Sequence, residues 1–324
     1  MQAAQAARRI EQGDRRQAAL LMRGLERGEP WAQEALALLS QRPLRSWIIG
    51  LTGPPGVGKS TLADRLLSHL RGRGLTVGVV AVDPSSPLSG GAILGDRLRM
   101  RRHASDSGVF IRSLASRGRQ GGLAGLVRPV VRVMDALGLE VVLVETVGVG
   151  QDQVEVARLA ECTVLVTAPG LGDWLQAIKA GILELAQVLV VNQADRPGAG
   201  ATAEDLRAML SLRRASPGEW IPPVLLTSAR DGVGLEELWQ ALERHRLFMR
   251  EQDGRRLERQ RRSAARAELV ELVRQEVLQD LRRRLDSLPQ LEELAGALAG
   301  GRTDPQAAAR RLLEALEMAP ARQE

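Results

Sequence analysis

Between Trp47 and Leu226 the chain alternates two textures. Short apolar runs recur at Trp47 to Leu51, Val77 to Val82, Val109 to Ile111, Val141 to Val144, Val164 to Val166, Val188 to Val191 and Val224 to Leu226. Most are β-branched and nearly continuous rather than alternating with polar residues, the pattern of strands buried on both faces. Between them lie stretches with apolar residues at helical spacing, at 59–71, 123–137, 153–160, 174–185, 202–211 and 234–247. Strands and helices taking turns in this way predict an α/β fold with a mainly parallel central sheet flanked by helices.

The ends read differently. Residues 1–45 place apolar positions at helical spacing among Arg and Glu (Ala19, Leu20, Leu21, Leu25, then Ala35, Leu36, Leu38, Leu39), broken at Gly28-Glu29-Pro30 and closed by Pro43. Beyond about residue 250 the strand texture stops. Residues 255–284 carry ten arginines against a helical apolar row of Leu269, Leu272, Val273, Val277 and Leu281, and helical texture continues over 288–318 with a break at Gly300-Gly301. The expected organisation is therefore a helical N-terminal extension (1–45), an α/β domain (46–250) and a helical C-terminal extension (251–324). An arginine-rich helix face is most simply a solvated one; a dimerisation or client-docking arm is the sharper reading.

Composition narrows the possible roles. The 324 residues are 44% hydrophobic and 26% charged, enough apolar material for a sizeable core. With five Trp, two Phe and no Tyr, that core must be built from Leu, Val, Ile and Ala, and a surface that stacks bases on aromatic rings is not expected. The single cysteine, Cys162, rules out an internal disulfide framework. No apolar run approaches the roughly 20 residues of a membrane span, and the start lacks a charged-then-apolar signal segment, so a cytoplasmic protein without a membrane partner is expected. The net charge of +6 is a modest excess of 45 basic over 39 acidic residues, and no nucleic-acid motif accompanies it, so no nucleic-acid partner is expected.

The strongest chemical signal is GPPGVGKS at 53–60. It satisfies G-x-x-x-x-G-K-[ST] and stands where the motif must, after a predicted strand and at the start of a predicted helix. Gly53, Pro54, Pro55, Gly56, Val57 and Gly58 form a loop whose backbone N–H groups can wrap phosphates, and the helix N-terminus adds a favourable dipole. Lys59 is expected to reach the β- and γ-phosphates, Ser60 to give a hydroxyl to Mg²⁺, and Thr61 to add a phosphate contact. Only Lys59 and Lys179 are lysines in this arginine-dominated chain, so a flexible point charge is selected at position 59.

Such a site needs a carboxylate at a neighbouring strand end for Mg²⁺ or its waters. Glu145 ends the run VVLVE and opens ETVG, Asp83 ends VGVVAVD, and Asp96 lies in SGGAILGD. A buried strand seldom ends in a carboxylate without a partner, because an unpaired buried charge is costly. These three are the metal and phosphate-side candidates. Gln151, three residues after Gly148, either orients the attacking water or caps the following helix.

At 190–198 the chain reads VVNQADRPG. Asp195 is suited to accept from the guanine N1–H and exocyclic amine, a pair adenine cannot make. Asn192 is expected to hold the loop and to face the base edge, and Gln193 stands where guanine-binding loops usually have a lysine whose stem lies across the base. LLTSAR (225–230) supplies Ser228, Ala229 and Arg230 as a second base loop. Discrimination for guanine should survive the shorter, uncharged Gln193, since a site built to hydrogen-bond a group rejects analogues lacking it.

Together, GLTGPPGVGKST, VDPSSPLSGGAILGDRLRM, ETVGVGQ, PGLGDWLQAIKAGILELA and VVNQADR, in that order, resemble the G-protein chaperones of adenosylcobalamin-dependent methylmalonyl-CoA mutase. The resemblance runs from about residue 46 to 245 and extends weakly into both ends. It implies a P-loop GTPase core with helical extensions, a homodimer, GTP and GDP with Mg²⁺ as ligands, slow hydrolysis, and a mutase client whose cobalamin cofactor is loaded, gated and protected. It implies phosphate and metal roles for Lys59 and Ser60, and places Asp83, Asp96 and Glu145 in the metal and switch region. PGLGDWLQAIKAG matches a mobile segment that signals to the mutase, with Lys179 inside it. Two related readings rank lower. A nickel metallochaperone GTPase needs His/Cys clusters, whereas His69, His103 and His245 are far apart in sequence; a transport-system kinase needs a dedicated acceptor hydroxyl.

Overall fold

The computed structural model describes residues 2–84, 101–103, 105–116, 124–146, 152–171, 182–212, 218–251 and 254–318. The seven apolar runs form seven strands: β1 (Trp47–Thr52), β2 (Val77–Pro84), β3 (Val109–Ser116), β4 (Val141–Thr146), β5 (Cys162–Thr167), β6 (Val188–Val191) and β7 (Val224–Leu226). They make one sheet in the order β3-β2-β4-β1-β5-β6-β7. Every pairing is parallel, so the sheet described is wholly parallel.

Twelve α-helices accompany it among the described residues: α1 (Gln2–Glu11), α2 (Arg15–Arg27), α3 (Pro30–Leu39), α4 (Lys59–Gly72), α5 (Ala124–Ala136), α6 (Asp152–Leu159), α7 (Ile182–Leu185), α8 (Ala199–Ser211), α9 (Leu235–Arg250), α10 (Arg255–Asp286), α11 (Pro289–Ala299) and α12 (Pro305–Met318). Of the helix expected at 174–185 only α7 is described. Local chemistry sets the helix ends. Asp14 caps α2 by accepting from the Gln17 amide at 2.9 Å, Gly28 closes it in the left-handed conformation (φ 71°), and Pro30 opens α3.

Successive strand residues feed opposite faces, which is why the runs are apolar throughout. Ile49, Leu51, Val79, Leu143, Val164 and Val190 meet α4 and α9 on one face. Ile48, Val80, Val142 and Val144 meet α5, α6 and the N-terminal helices on the other, where Ile10, Leu21 and Met22 are fully buried. Polar ties join the N-terminal helices to the same body: Arg15 donates to the Val109 carbonyl at 2.7 Å, and Arg112 pairs with Glu26.

The chain forms two compact units, residues 1–264 and 265–324. In the second unit α11 packs on α12, and Arg284 donates to the Leu316 carbonyl at 2.6 Å. The row Leu269, Leu272, Val273 and Val277 on α10 is 63%, 48%, 61% and 59% exposed. No helix among the described residues is long and apolar enough to cross a membrane.

Candidate functional site

The chain leaves β1 toward β2 on one side of the sheet and leaves β5 toward β6 on the other, so a crevice opens outside the carboxyl ends of β1 and β5. The loop 53–58 sits there. Gly53 has φ 142°, and a Cβ at this position would fall inside the carbonyl oxygen of Val166 on β5. Gly58 has φ 88°, and its Cβ would come within 2.6 Å of Asn192 Nδ2. Both positions therefore require glycine for conformation and for space. Val57 anchors the loop by burying its side chain in the core.

Lys59 is the first residue of α4 and is only 6% exposed. Its ammonium donates to the carbonyls of Gly53 at 2.9 Å and Pro54 at 2.7 Å. The charge is thus folded into the mouth of the loop. Pro55 and Gly56 complete the turn, and Thr61 follows in the first turn of α4, where the amides have no intrahelical acceptor. These amides, the dipole and the lysine converge on one anion-binding spot.

β4 lies beside β1 in parallel register, with Glu145 opposite Leu51. That register brings Glu145, 4% exposed, to the Ser60 hydroxyl, which donates to Oε1 at 2.6 Å. A hydroxyl and a carboxylate beside a phosphate cradle are a hard-oxygen donor set. No group of three or more His, Cys, Asp or Glu that would form an all-protein metal cage occurs among the described residues. Asp83 stands at the carboxyl end of β2, one strand further along. Asp96, Gln151 and Lys179 lie outside the described residues.

The base loops follow β6 and β7. Asn192 is 2% exposed and acts as a brace. Its Nδ2 donates to the Val57 carbonyl at 2.8 Å, and its Oδ1 accepts from Thr227 Oγ1 at 3.1 Å and the Ala229 amide at 3.0 Å. One side chain therefore ties the phosphate loop to both base loops, and both lone pairs of Oδ1 are in use. Gln193 is a non-glycine residue at positive φ (59°), and its Nε2 donates to the Gly56 carbonyl at 3.1 Å. Its amide closes the base loop over the phosphate loop.

Asp195 Oδ1 and Asp231 Oδ2 both lie within reach of Ser228 Oγ, at 3.0 and 2.6 Å. Arg230 bridges the two carboxylates, at 3.3 Å to Asp195 and 2.9 Å to Asp231. The Arg230 guanidinium, helped by Ser228, holds the Asp231 carboxyl below the usual carboxylate range. Sequence reasoning missed Asp231, Thr227 and Arg65. Arg65 donates from α4 to the Ala229 and Arg230 carbonyls at 3.0 and 2.8 Å. No motif marks Arg65; Asp231-Gly232 carries only a turn signal.

The three histidines occupy three separate places. His69 lies by Trp239 and His245 by Trp220. His103 Nε2 lies 3.2 Å from Asp64 and 3.3 Å from Ser68 Oγ. Both contacts fall on one ring nitrogen, so this trio is not a relay of the Ser-His-Asp kind. Cys162 is fully buried, and burial pushes its thiol up and away from reactivity.

The family model described as methylmalonyl Co-A mutase-associated GTPase MeaB matches residues 19–286. The chain belongs to the MeaB family. A GTPase homologue from Pyrococcus horikoshii is 42% identical over 308 residues, spanning 94% of this chain and 96% of its own length. GTPase ArgK of Escherichia coli is 38% identical over 249 residues, 74% of each chain. A mouse protein named methylmalonic aciduria type A homolog, mitochondrial, is 34% identical over 287 residues, 83% of this chain and 68% of its own. Among solved structures, one titled LAO/AO transport system kinase superposes with a TM-score of 0.72 at 28% identity over 98% of both chains. This MeaB-family chain is accordingly a P-loop GTPase, a hydrolase that binds GTP and GDP.

Proposed function

We propose that this GTPase is a chaperone of a cobalamin-dependent acyl-CoA mutase such as methylmalonyl-CoA mutase, assisting the loading, gating and protection of the mutase cofactor. The observation that carries the reading is the match of residues 19–286 to a family described by its association with methylmalonyl-CoA mutase. The name of the mouse relative, which refers to methylmalonic aciduria, points the same way.

For the described side chains the roles rest on donor geometry; for Asp83, Asp96 and Gln151 they rest on sequence position alone. Lys59 and the first-turn amides of α4 take the β- and γ-phosphates, with Thr61 beside them. The Ser60 hydroxyl and Glu145, 2.6 Å apart, would hold Mg²⁺, with Asp83 and Asp96 on the metal and switch side. When bound, Mg²⁺ neutralises charge on the phosphates. Lys59 stabilises the charge that builds on the γ-phosphate as water attacks, and Gln151 orients that water. Asp195 reads the guanine N1–H and amine. Asn192, Gln193, Ser228, Ala229 and Arg230 shape the base pocket, and Arg230 remains with Asp231 when guanine takes Asp195. Unassisted turnover is slow, on the order of 10⁻⁴–10⁻² s⁻¹. The exposed apolar row of α10 supports a homodimer, which would cover it.

Affinity capture tests the reading. The bait is this protein loaded with a non-hydrolysable GTP analogue and Mg²⁺, and bound proteins are identified by mass spectrometry. Recovery of a cobalamin-dependent mutase, lost with Lys59→Ala bait, is the expected result. Specific recovery of a metalloenzyme or of a transport protein, with no mutase, would transfer the role to a metallochaperone or a transport-system kinase and leave the GTPase intact.

A further inference from the structure

The amino ends of β5 and β6, opposite the nucleotide crevice, border a second cavity of about 420 Å³. Trp220, His245, Phe248, Met249, Arg256 and Gln260 line it. Trp220 is fixed by its indole N–H, which donates to the Gln187 carbonyl at 2.8 Å. The Gln260 amide nitrogen reaches the Ala160 and Glu161 carbonyls at 3.3 and 3.4 Å, which turns its oxygen the other way. Trp220 lies 5.0 Å from the His245 ring and 5.3 Å from Phe248, and the Arg256 guanidinium lies 3.9 Å from the Phe248 ring centre. In a chain with two Phe and five Trp, this is a concentrated aromatic wall.

Three buried polar atoms of these lining residues have no hydrogen-bond partner: His245 Nδ1, Arg256 Nη1 and Gln260 Oε1. His245 is 3% exposed. The carboxylate paired with Arg256 Nη1, Glu251, is 4.0 Å away and 64% exposed, beyond hydrogen-bonding reach. Buried polar atoms in native proteins are paired as a rule, and a desolvated cation calls for an anion. Burial holds the His245 pKa at about 4, so the ring is neutral near pH 7. Arg259, Glu184 and Glu219 also border the space. The two arginines and two glutamates cancel in sum, so an anion is met by Arg256 rather than by a cationic cluster, and a dianion is disfavoured.

We propose that this cavity is a ligand site for a small organic carboxylate bearing a hydroxyl or amino donor beside its carboxyl group. The carboxylate meets Arg256, the hydroxyl or amino group donates to Gln260 Oε1 beside His245 Nδ1, and the apolar part lies against Trp220 and Phe248. Recognition of this kind uses the planar guanidinium stacked on an aromatic ring, a geometry lysine does not reproduce.

Tryptophan fluorescence of the full-length protein tests the site with three probes: L-lactate, propionate (which lacks the donor) and inorganic phosphate. Saturable quenching by lactate is expected, with propionate weaker by about tenfold or more because the buried acceptor Gln260 Oε1 then goes unpaired. Phosphate should not compete. Trp220→Phe should remove the signal, and Arg256→Lys should weaken lactate by about tenfold or more while leaving GDP affinity unchanged, which shows that the variant is folded. Absence of saturable change with lactate would overturn the assignment, as would equal lactate affinity in Arg256→Lys. Displacement of lactate by phosphate, with the nucleotide site filled by GDP, would also overturn it. None of these results bears on the mutase reading, which the capture experiment tests separately.

Discussion

Asn192 makes the strongest single claim on the nucleotide site, and Asn192→Ala is the perturbation that tests it. The side chain is 2% exposed and makes three hydrogen bonds, to the Val57 carbonyl, the Thr227 hydroxyl and the Ala229 amide. The hydroxyl can rotate to another acceptor; the carbonyl and the amide cannot. Leaving a buried donor or acceptor unpaired costs about 1–3 kcal/mol, so the two backbone groups together put the loss at about 2–6 kcal/mol. The phosphate loop and both base loops lose their common strut, so the cost falls on nucleotide binding as well as folding. Even 2 kcal/mol corresponds to about a 30-fold rise in the GDP dissociation constant. Asn192→Asp keeps the acceptor toward Thr227 and Ala229 but sets a carboxylate oxygen against the Val57 carbonyl, so it should be at least as damaging. Competition with a fluorescent GDP analogue, run beside thermal unfolding, reads both effects. An Asn192→Ala chain that binds GDP within about threefold of the parent and melts at the same temperature would refute the brace.

Further outcomes follow from neighbouring positions. Gln193→Lys should tighten GDP several-fold, because a charged donor to the Gly56 carbonyl replaces a neutral one; Gln193→Gly should leave stability within about 1 kcal/mol, since relief of the positive φ offsets the lost bond. Gly53→Ala should abolish GDP binding in the same competition assay, because its Cβ would occupy the Val166 carbonyl of β5 and neither backbone can yield alone. His245 has a folded pKa of about 4 against 6.5, so the unfolded chain binds the extra proton first as pH falls. Stability should therefore be full above about pH 6.5 and drop by about 3 kcal/mol as pH approaches 4, a slope that urea unfolding of His245→Phe should largely lose.

The mouse, Escherichia coli and Pyrococcus relatives make the GTPase assignment independent of any one contact. What the geometry adds is an account of Gln193. Its amide reaches the Gly56 carbonyl from a left-handed backbone, so a residue without charge still closes the base loop over the phosphate loop.

The local code carried a large part of this protein. Runs such as VVLVE and VLVV report burial on both faces whatever the strand order, and all seven became strands. The conformation of loop 53–58 was equally legible, because its glycines at positive φ and the helix that opens at Lys59 are set within eight residues. What lay beyond the sequence was pairing at a distance. Ser60 and Glu145 meet across 85 positions only because β1 and β4 pair in one register. Asn192 reads as a residue that holds its loop and faces the base edge, but no local pattern tells that its oxygen is taken by Thr227 and Ala229, which belong to another strand's loop. Arg65 matches no motif, because its partners are backbone carbonyls, which no sequence pattern advertises. The amphipathic helices before Pro43 announced an apolar face but not its destination, which is the sheet face shared with α5. Hydrophobic period is a local property and survives in one dimension. Strand order, register and the convergence of polar atoms on a cavity arise from crossovers between distant segments, and only the folded chain decides them.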